Sequence, residues 1–127
     1  MKRIYIAEDD PALANLMKTV LDLQGSYDVA LFSDGLKLYQ TILKDSPDLV
    51  ILDIIIPSLS GLAISRLIKH HHDYRQIPTV IVSSIIDREI RARALQAGAD
   101  AFLSKPFDPD ELLQLVNKLV ITENGRS

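Results

Sequence analysis

The chain has 127 residues, 47% of them apolar, with 14 Lys+Arg against 17 Asp+Glu. That length fits one domain, the apolar content excludes wholesale disorder, and the net charge of -3 argues against direct nucleic-acid binding, which needs a basic face. There is no cysteine, so disulfides, thiol catalysis and Cys-ligated metal centres are excluded. No run approaches membrane-spanning length, and MKRIYIAEDD meets acids too early for a signal peptide, so no membrane contact and a cytoplasmic location are the expectations.

Lys2 to Ala7 reads as a first buried strand, stopped by Glu8-Asp9-Asp10-Pro11. Asp10 caps a helix that has Pro11 at its first position, where a missing N–H costs nothing. Leu13, Leu16, Met17, Val20 and Leu21 recur at helical spacing along it, and Gly25 ends it. Tyr27 to Phe32 is a second strand. Ser33 is expected to cap a helix with Leu36, Tyr39, Ile42 and Leu43 inward, closed by Ser46-Pro47.

The stretch LVILDIIIPSLSG, Leu49 to Gly61, is the third strand and the loop after it. A short apolar run bounded by turn residues reads as a strand buried on both faces, with Asp53 at its C-terminal end. A helix with Leu62, Ile64, Leu67 and Ile68 follows and runs to His70-His71-His72. Thr79 to Val82 is a fourth strand ending in Ser83-Ser84. Asp87 caps a fourth helix with Ile90, Ala94, Leu95 and Ala97, ended by Gly98. Ala101 to Leu103 is a short fifth strand before Ser104-Lys105-Pro106-Phe107. The last helix starts with Asp108 as cap, Pro109 at N1 and Glu111 at N3, a capping-box pattern. Leu112, Leu113, Leu115, Val116, Leu119 and Val120 are its apolar residues, and 122–127 reads as a frayed polar tail after a domain spanning 1–121.

Five strands alternating with five helices imply βαβ units and a doubly wound parallel α/β sheet covered on both faces. Such sheets gather their ligands outside the carboxyl ends of the strands. Glu8-Asp9, Asp53, Ser83 and Lys105 all fall at strand ends. Alone, each has a plain reading as a cap, turn or solvated loop residue; together they supply acids, a hydroxyl and an ammonium to one edge. Crowded carboxylates repel one another, and a hard divalent cation such as Mg²⁺ relieves this. Lys and Ser add donors for phosphoryl oxygens, so the set suits transfer of a phosphoryl group onto a carboxylate.

These residues resemble the receiver domains of two-component response regulators, over nearly the whole chain from Lys2 to about Val120. The matching features are Glu8-Asp9, LDIIIP with Asp53 and Pro57, Gly61, Ser83, AGAD at 97–100 and Lys105-Pro106-Phe107. The resemblance implies a flavodoxin-like sheet of order 2-1-3-4-5. It implies that Asp53 accepts phosphate from a histidine kinase, a phosphotransfer protein or a small phosphodonor. Mg²⁺ is then held by Asp9, Asp53 and the carbonyl of Ile55, with Glu8 acting mainly through water. Ser83 and Lys105 hold the phosphoryl oxygens, Pro57 and Gly61 shape the loop, and the Lys105–Pro106 bond is cis. Ser83 and Phe102 form a switch that alters the surface of the fourth helix, fifth strand and fifth helix, read by a downstream protein, an effector domain or a second copy.

The chain departs from the family at Ser60, where Asp is common, at Ile56, at Ser84, and at Phe102, which lacks a tyrosine hydroxyl. Ile55 and Ile85 stand at variable positions that influence phosphoryl lifetime; being apolar, they are expected to impede the attacking water. The competing readings are a binding module that works without phosphorylation and a phosphatase with an aspartyl nucleophile. The second would want an acid two residues after Asp53, where this chain has Ile55. The His70-His71-His72 run reads as structural, because adjacent helical residues point about 100° apart.

Overall fold

The computed structural model describes residues 1–85 and 87–125, with side chains as far as Val120. In chain order the elements are β1 (Lys2–Ala7), α1 (Pro11–Asp22), β2 (Tyr27–Phe32), α2 (Gly35–Lys44), β3 (Leu49–Asp53), α3 (Gly61–His70), β4 (Thr79–Ser83), α4 (Arg88–Gln96), β5 (Ala101–Ser104) and α5 (Pro109–Gly125). The strands form one parallel sheet of order β2-β1-β3-β4-β5. β4 and β5 each run one residue further than the sequence suggests, taking in Ser83 and Ser104.

Alternation of side chains across the sheet sends one set of residues to each face. Ile4, Ile6, Leu49, Ile51, Val80 and Val82 pack against Met17 and Leu21 of α1 and Leu112, Val116 and Val120 of α5. Tyr5, Ala7, Val50, Leu52 and Ile81 pack against Leu38 and Ile42 of α2, Ile64 and Ile68 of α3 and Ala94 of α4. Both faces of β3 are therefore covered, and all five of its residues are buried. A strand like this reads as a continuous apolar run, which makes its one carboxylate conspicuous.

Several helix details differ from expectation. The cap of α2 is Asp34, whose side chain accepts from Lys37 N at 3.0 Å; Ser33 is not the cap. On α2 the inward residues are Gly35, Leu38 and Ile42, spaced three and four apart, while Leu36 and Leu43 are exposed. Leu38 wins because its direction points at the sheet; Leu36 lies two residues and about 200° away. Fully burying one such leucine contributes about 1.5–3 kcal/mol. Leu16, Leu67 and Leu95 are likewise exposed, with Ala14, Ser65 and Ala97 among the buried residues of those regions. α3 stops at His70, and His71 is its C-cap. α5 continues to Gly125, past the point where the polar tail was expected to begin; residues 126–127 of that tail lie outside the described residues.

Asp10 and Asp87 cap as read, accepting from Ala12 N and Ile90 N; Ser60, not singled out as a cap, accepts from Ala63 N and caps α3. At α5, Glu111 Oε1 reaches back to Asp108 N at 3.1 Å, while Asp108 Oδ1 accepts from Asp110 N at 3.1 Å. Ser60, a departure from the family's common Asp, is thus the cap of α3.

Candidate functional site

The sheet brings the ends of β1, β3, β4 and β5 to one edge, and backbone hydrogen bonds continue beyond the strands there. Ile54 N donates to Val82 O at 3.1 Å, and Lys105 N donates to Ser83 O at 2.8 Å. Asp53 pairs in register with Val82, and Ser83 with Ser104. Side chains at these ends therefore stand at fixed heights relative to one another.

The loop after β3 is held as firmly. Gly61 N donates to Ile54 O at 3.1 Å, and a Cβ on Gly61 would lie 2.3 Å from Asp53 O. Only glycine lets α3 begin this close to the strand that carries Asp53. Gly35 N donates to Pro57 O at 2.9 Å, and a Cβ there would meet Leu59 O at 2.0 Å. Ser58 sits at φ 74°, the left-handed region that an L residue enters at a cost. Its hydroxyl donates to Asp34 Oδ2 at 2.5 Å, which ties the loop to the start of α2. Pro57 is exposed at the tip of this arrangement.

Glu8 and Asp53 are only 3% and 7% exposed, so two carboxylates lie nearly out of water. Lys105, whose bond to Pro106 is cis, enters between them. Its Nζ donates to Asp53 Oδ2 at 2.7 Å and approaches Glu8 Oε1 at 2.7 Å. The first contact has hydrogen-bond geometry. The second is an ion pair off the bonding direction, leaving the buried Glu8 Oε1 without a hydrogen bond among the described residues. Glu8 Oε2 accepts from Asp10 N at 3.1 Å, and Asp53 Oδ1 accepts from Ile55 N at 3.2 Å.

The electrostatics follow from burial and crowding. Burial pushes the Glu8 carboxyl above its ordinary pKa; Lys105 and Asp10 N pull it back, and the charge of Asp53 pushes it up again. The net direction is upward because desolvation outweighs the ammonium. Burial also works against the Lys105 charge, but its close contacts with the Asp53 and Glu8 carboxylates prevail and hold its pKa above that of an ordinary lysine.

Glu8, Asp9 and Asp53 offer oxygens within 4.8 Å of one another, with Asp9 exposed and the other two buried. Oxygen-only donors of high negative charge suit a hard divalent cation, and the orphaned Glu8 Oε1 is a buried acceptor that one would satisfy. The three residues fit a metal. The histidine run contributes no comparable cluster among the described residues. His71 instead lies against the Tyr74 ring, centroids 4.3 Å apart, and its Nδ1 accepts from Asp73 N at 3.1 Å.

Around this centre, Ser83 is buried and its Oγ accepts from Ile85 N at 3.0 Å, which leaves the hydroxyl hydrogen free to donate. Ile55 is 65% exposed and Ile85 is also exposed, so two apolar side chains stand at the mouth of the site. Phe102, partly buried on β5, lies under the Arg91 guanidinium at 4.9 Å. Arg91 Nη2 also donates to Ser104 Oγ at 3.3 Å. Glu8, Asp9, Asp53 and Lys105 lie together, and Ser83 ends the strand next to that of Asp53. The Arg91–Phe102 contact and the Asp34–Ser58 tie were not anticipated; both join residues from different elements, and no local spacing announces them.

The family model of the response regulator receiver domain matches residues 4–117. The chain belongs to this family. Among sequence relatives, the DNA-binding dual master transcriptional regulator RpaA of Synechocystis is 32% identical over 120 residues, covering 94% of this chain and 49% of RpaA. The chain spans about half the length of the curated relatives it matches. Among solved structures, the receiver domain of a signal transduction histidine kinase from Syntrophus aciditrophicus is similar with a TM-score of 0.88 and 30% identity, covering 96% of this chain and 92% of that one. The receiver domain of sensor histidine kinase PA1611 from Pseudomonas aeruginosa, 26% identical with a TM-score of 0.84, covers 94% of this chain and 97% of its own and has a magnesium ion coordinated in its active-site cleft. This receiver domain is accordingly a two-component signalling domain. Among its described residues no helix is long and apolar enough to cross a membrane.

Proposed function

We infer that this receiver domain is a phosphorylation-controlled switch whose acceptor is Asp53. The observation that carries the reading is the placement of a buried carboxylate against Lys105 at 2.7 Å, with Glu8 and Asp9 beside it. An Asp53 oxygen attacks the phosphorus of a phosphohistidine or small phosphodonor, and the bond from phosphorus to the leaving nitrogen or oxygen breaks. Glu8, Asp9, Asp53 and the Ile55 carbonyl would hold Mg²⁺, Glu8 mainly through water, and the ion would supply charge neutralisation to a reaction whose catalysis is mostly positioning and electrostatics. Lys105 and the free hydroxyl hydrogen of Ser83 hold the phosphoryl oxygens. The domain catalyses only its own phosphorylation and dephosphorylation.

The switch couples Ser83 to Phe102. When Ser83 turns to the phosphoryl group, Phe102 turns inward and the α4–β5–α5 surface changes. Arg91 opposes this by covering the ring. The partners are a sensor histidine kinase or phosphotransfer protein upstream and an effector domain, downstream protein or phosphorylation-dependent second copy after it, without direct nucleic-acid or membrane contact of this domain. The domain works in the cytoplasm.

Incubation with acetyl phosphate, or with beryllofluoride, plus Mg²⁺ tests the reading by mass spectrometry and NMR. The wild type gains one phosphoryl mass with acetyl phosphate, and Asp53→Asn does not. An unmodified wild type, or an Asp53→Asn protein with the same adduct, overturns it.

A further inference from the structure

The outer face of α2 and α3 is unlike the rest of this acidic chain. The two helices carry Lys37, Lys44, Arg66, Lys69 and His70 and contain no Asp or Glu. Lys69 is used inside the fold, where its Nζ donates to Ile77 O at 2.7 Å and Asp100 Oδ2 at 3.0 Å. Arg66, His70 and Lys44 have no ion-pair partner among the described residues. The acids that flank α2 are engaged: Asp34 by Lys37 N and Ser58, Asp45 by Arg3.

The same face exposes leucines. Leu36, Tyr39 and Leu43 are spaced three and four apart, so they form one stripe along α2. Leu36 is 44% exposed, Leu43 48%, and Leu67 on α3 41%. Between the helices, Tyr39, Arg66, Leu67, His70 and His71 line a cleft of about 290 Å³. Arg66 is the cation lining that cleft, with His70 and His71 beside it and Lys44 further along α2; an apolar stripe beside that charge fits one chemistry in particular.

We propose that the α2–α3 groove docks an acidic amphipathic helix of a protein partner, its apolar side chains on the leucine stripe and in the cleft, its carboxylates on Arg66, His70 and Lys44. Ten-residue helices give a groove about 15 Å long, room for apolar anchors at i, i+3 or i+4, and i+7 of a partner helix. The cleft is shallow and open, so a partner helix lies across it with its apolar face on Tyr39 and Leu67. The basic groups are too few and too interleaved with leucines for a phosphate backbone. Charge complementarity sets both the preference for an acidic helix and a fall in affinity with added salt. None of these residues takes part in the phosphoryl site, so this docking does not depend on Asp53.

The probe is a phage-displayed library of random 16-residue peptides, panned against the intact wild-type domain and counter-selected on Arg66→Glu. Peptides rich in Asp/Glu with apolar residues at helical spacing are expected. A synthesised winner should move the NMR amide signals of Tyr39, Leu43, Leu67 and His70, and bind Arg66→Glu at least tenfold more weakly. Leu67→Ala should weaken it as well, and Asp53→Asn should bind as the wild type does. Acetyl-phosphate labelling of Arg66→Glu at the wild-type level shows that the variant is folded. Peptides without acids, equal binding to Arg66→Glu, or shifts confined to other helices overturn the proposal. So does Arg66-dependent sedimentation with phosphatidylserine vesicles, or an Arg66-dependent dimer in sedimentation velocity, without an acidic peptide.

Discussion

The ammonium of Lys105 donates to Asp53 Oδ2 at 2.7 Å, across 52 residues of sequence. It also faces the buried Glu8, so one cation balances two carboxylates. Lys105→Met removes that balance. Breaking a buried pair costs about 3–5 kcal/mol, and the 20% exposure of the Lys105 side chain reduces the expected loss to about 2 kcal/mol. Urea unfolding in EDTA measures it. Mg²⁺ is expected to restore part of the loss, adding about 1.4 kcal/mol at ten times its Kd. A Lys105→Met protein as stable in EDTA as the wild type would contradict this account.

Asp34 is held below the usual carboxylate range, chiefly by the Ser58 hydroxyl and then by Lys37 N. A depressed folded-state pKa gives stability that is present above the unfolded value, about 4, and lost as pH falls through the lower folded value. Ser58→Ala removes the main cause. Wild type should therefore exceed Ser58→Ala in stability near about pH 6, with the gap closing on acidification below about pH 4. Urea midpoints at both ends of this range check the sign; a gap that widens with acid would reverse it.

Ile55 and Ile85 stand exposed at the mouth of the site, and neither can hold or activate a water. Ile55→Asn or Ile85→Glu is expected to speed loss of the phosphoryl group from Asp53 about tenfold, the effect of roughly 1.4 kcal/mol on a barrier. Labelled acetyl phosphate, quenched at intervals, gives the rate. Unchanged rates in both variants would remove the role given to these isoleucines.

Arg91 covers Phe102 at 4.9 Å and donates to Ser104. A cation–π contact at an exposed site contributes about 0.5–1 kcal/mol, so Arg91→Ala should raise the inward Phe102 population about two- to fivefold before phosphorylation. A fluorinated phenylalanine at position 102 reports the two orientations by ¹⁹F NMR. Equal populations in both proteins would show that the guanidinium restrains nothing.

The buried strand with its carboxylate and the helix starts were legible because their signals are local. LDIIIP advertises a carboxylate on a doubly buried strand, and Asp108-Pro109 with Glu111 advertises a helix start. What stayed hidden was directional or long-range. Leucines at 36, 38 and 43 look equivalent until the sheet selects Leu38. Ser33 and Asp34 are both competent caps, and Ser58 from a distant loop engages the second. Leu95 follows helical spacing yet faces outward, since Ala94 and Ala97 already bring α4 close to its neighbours.

The position of β5 has a mechanical consequence. Asp53 ends and Glu8 follows an interior strand hydrogen-bonded on both sides, whereas β5 pairs with β4 alone. The acidic half of the centre is thus an anvil, and the half bearing Lys105 and Phe102 a lever clamped along one side only. Under the switch proposed above, force from a new charge on Asp53 would meet the side of the sheet held by one strand neighbour, and displacement would be channelled outward through that edge and away from the middle.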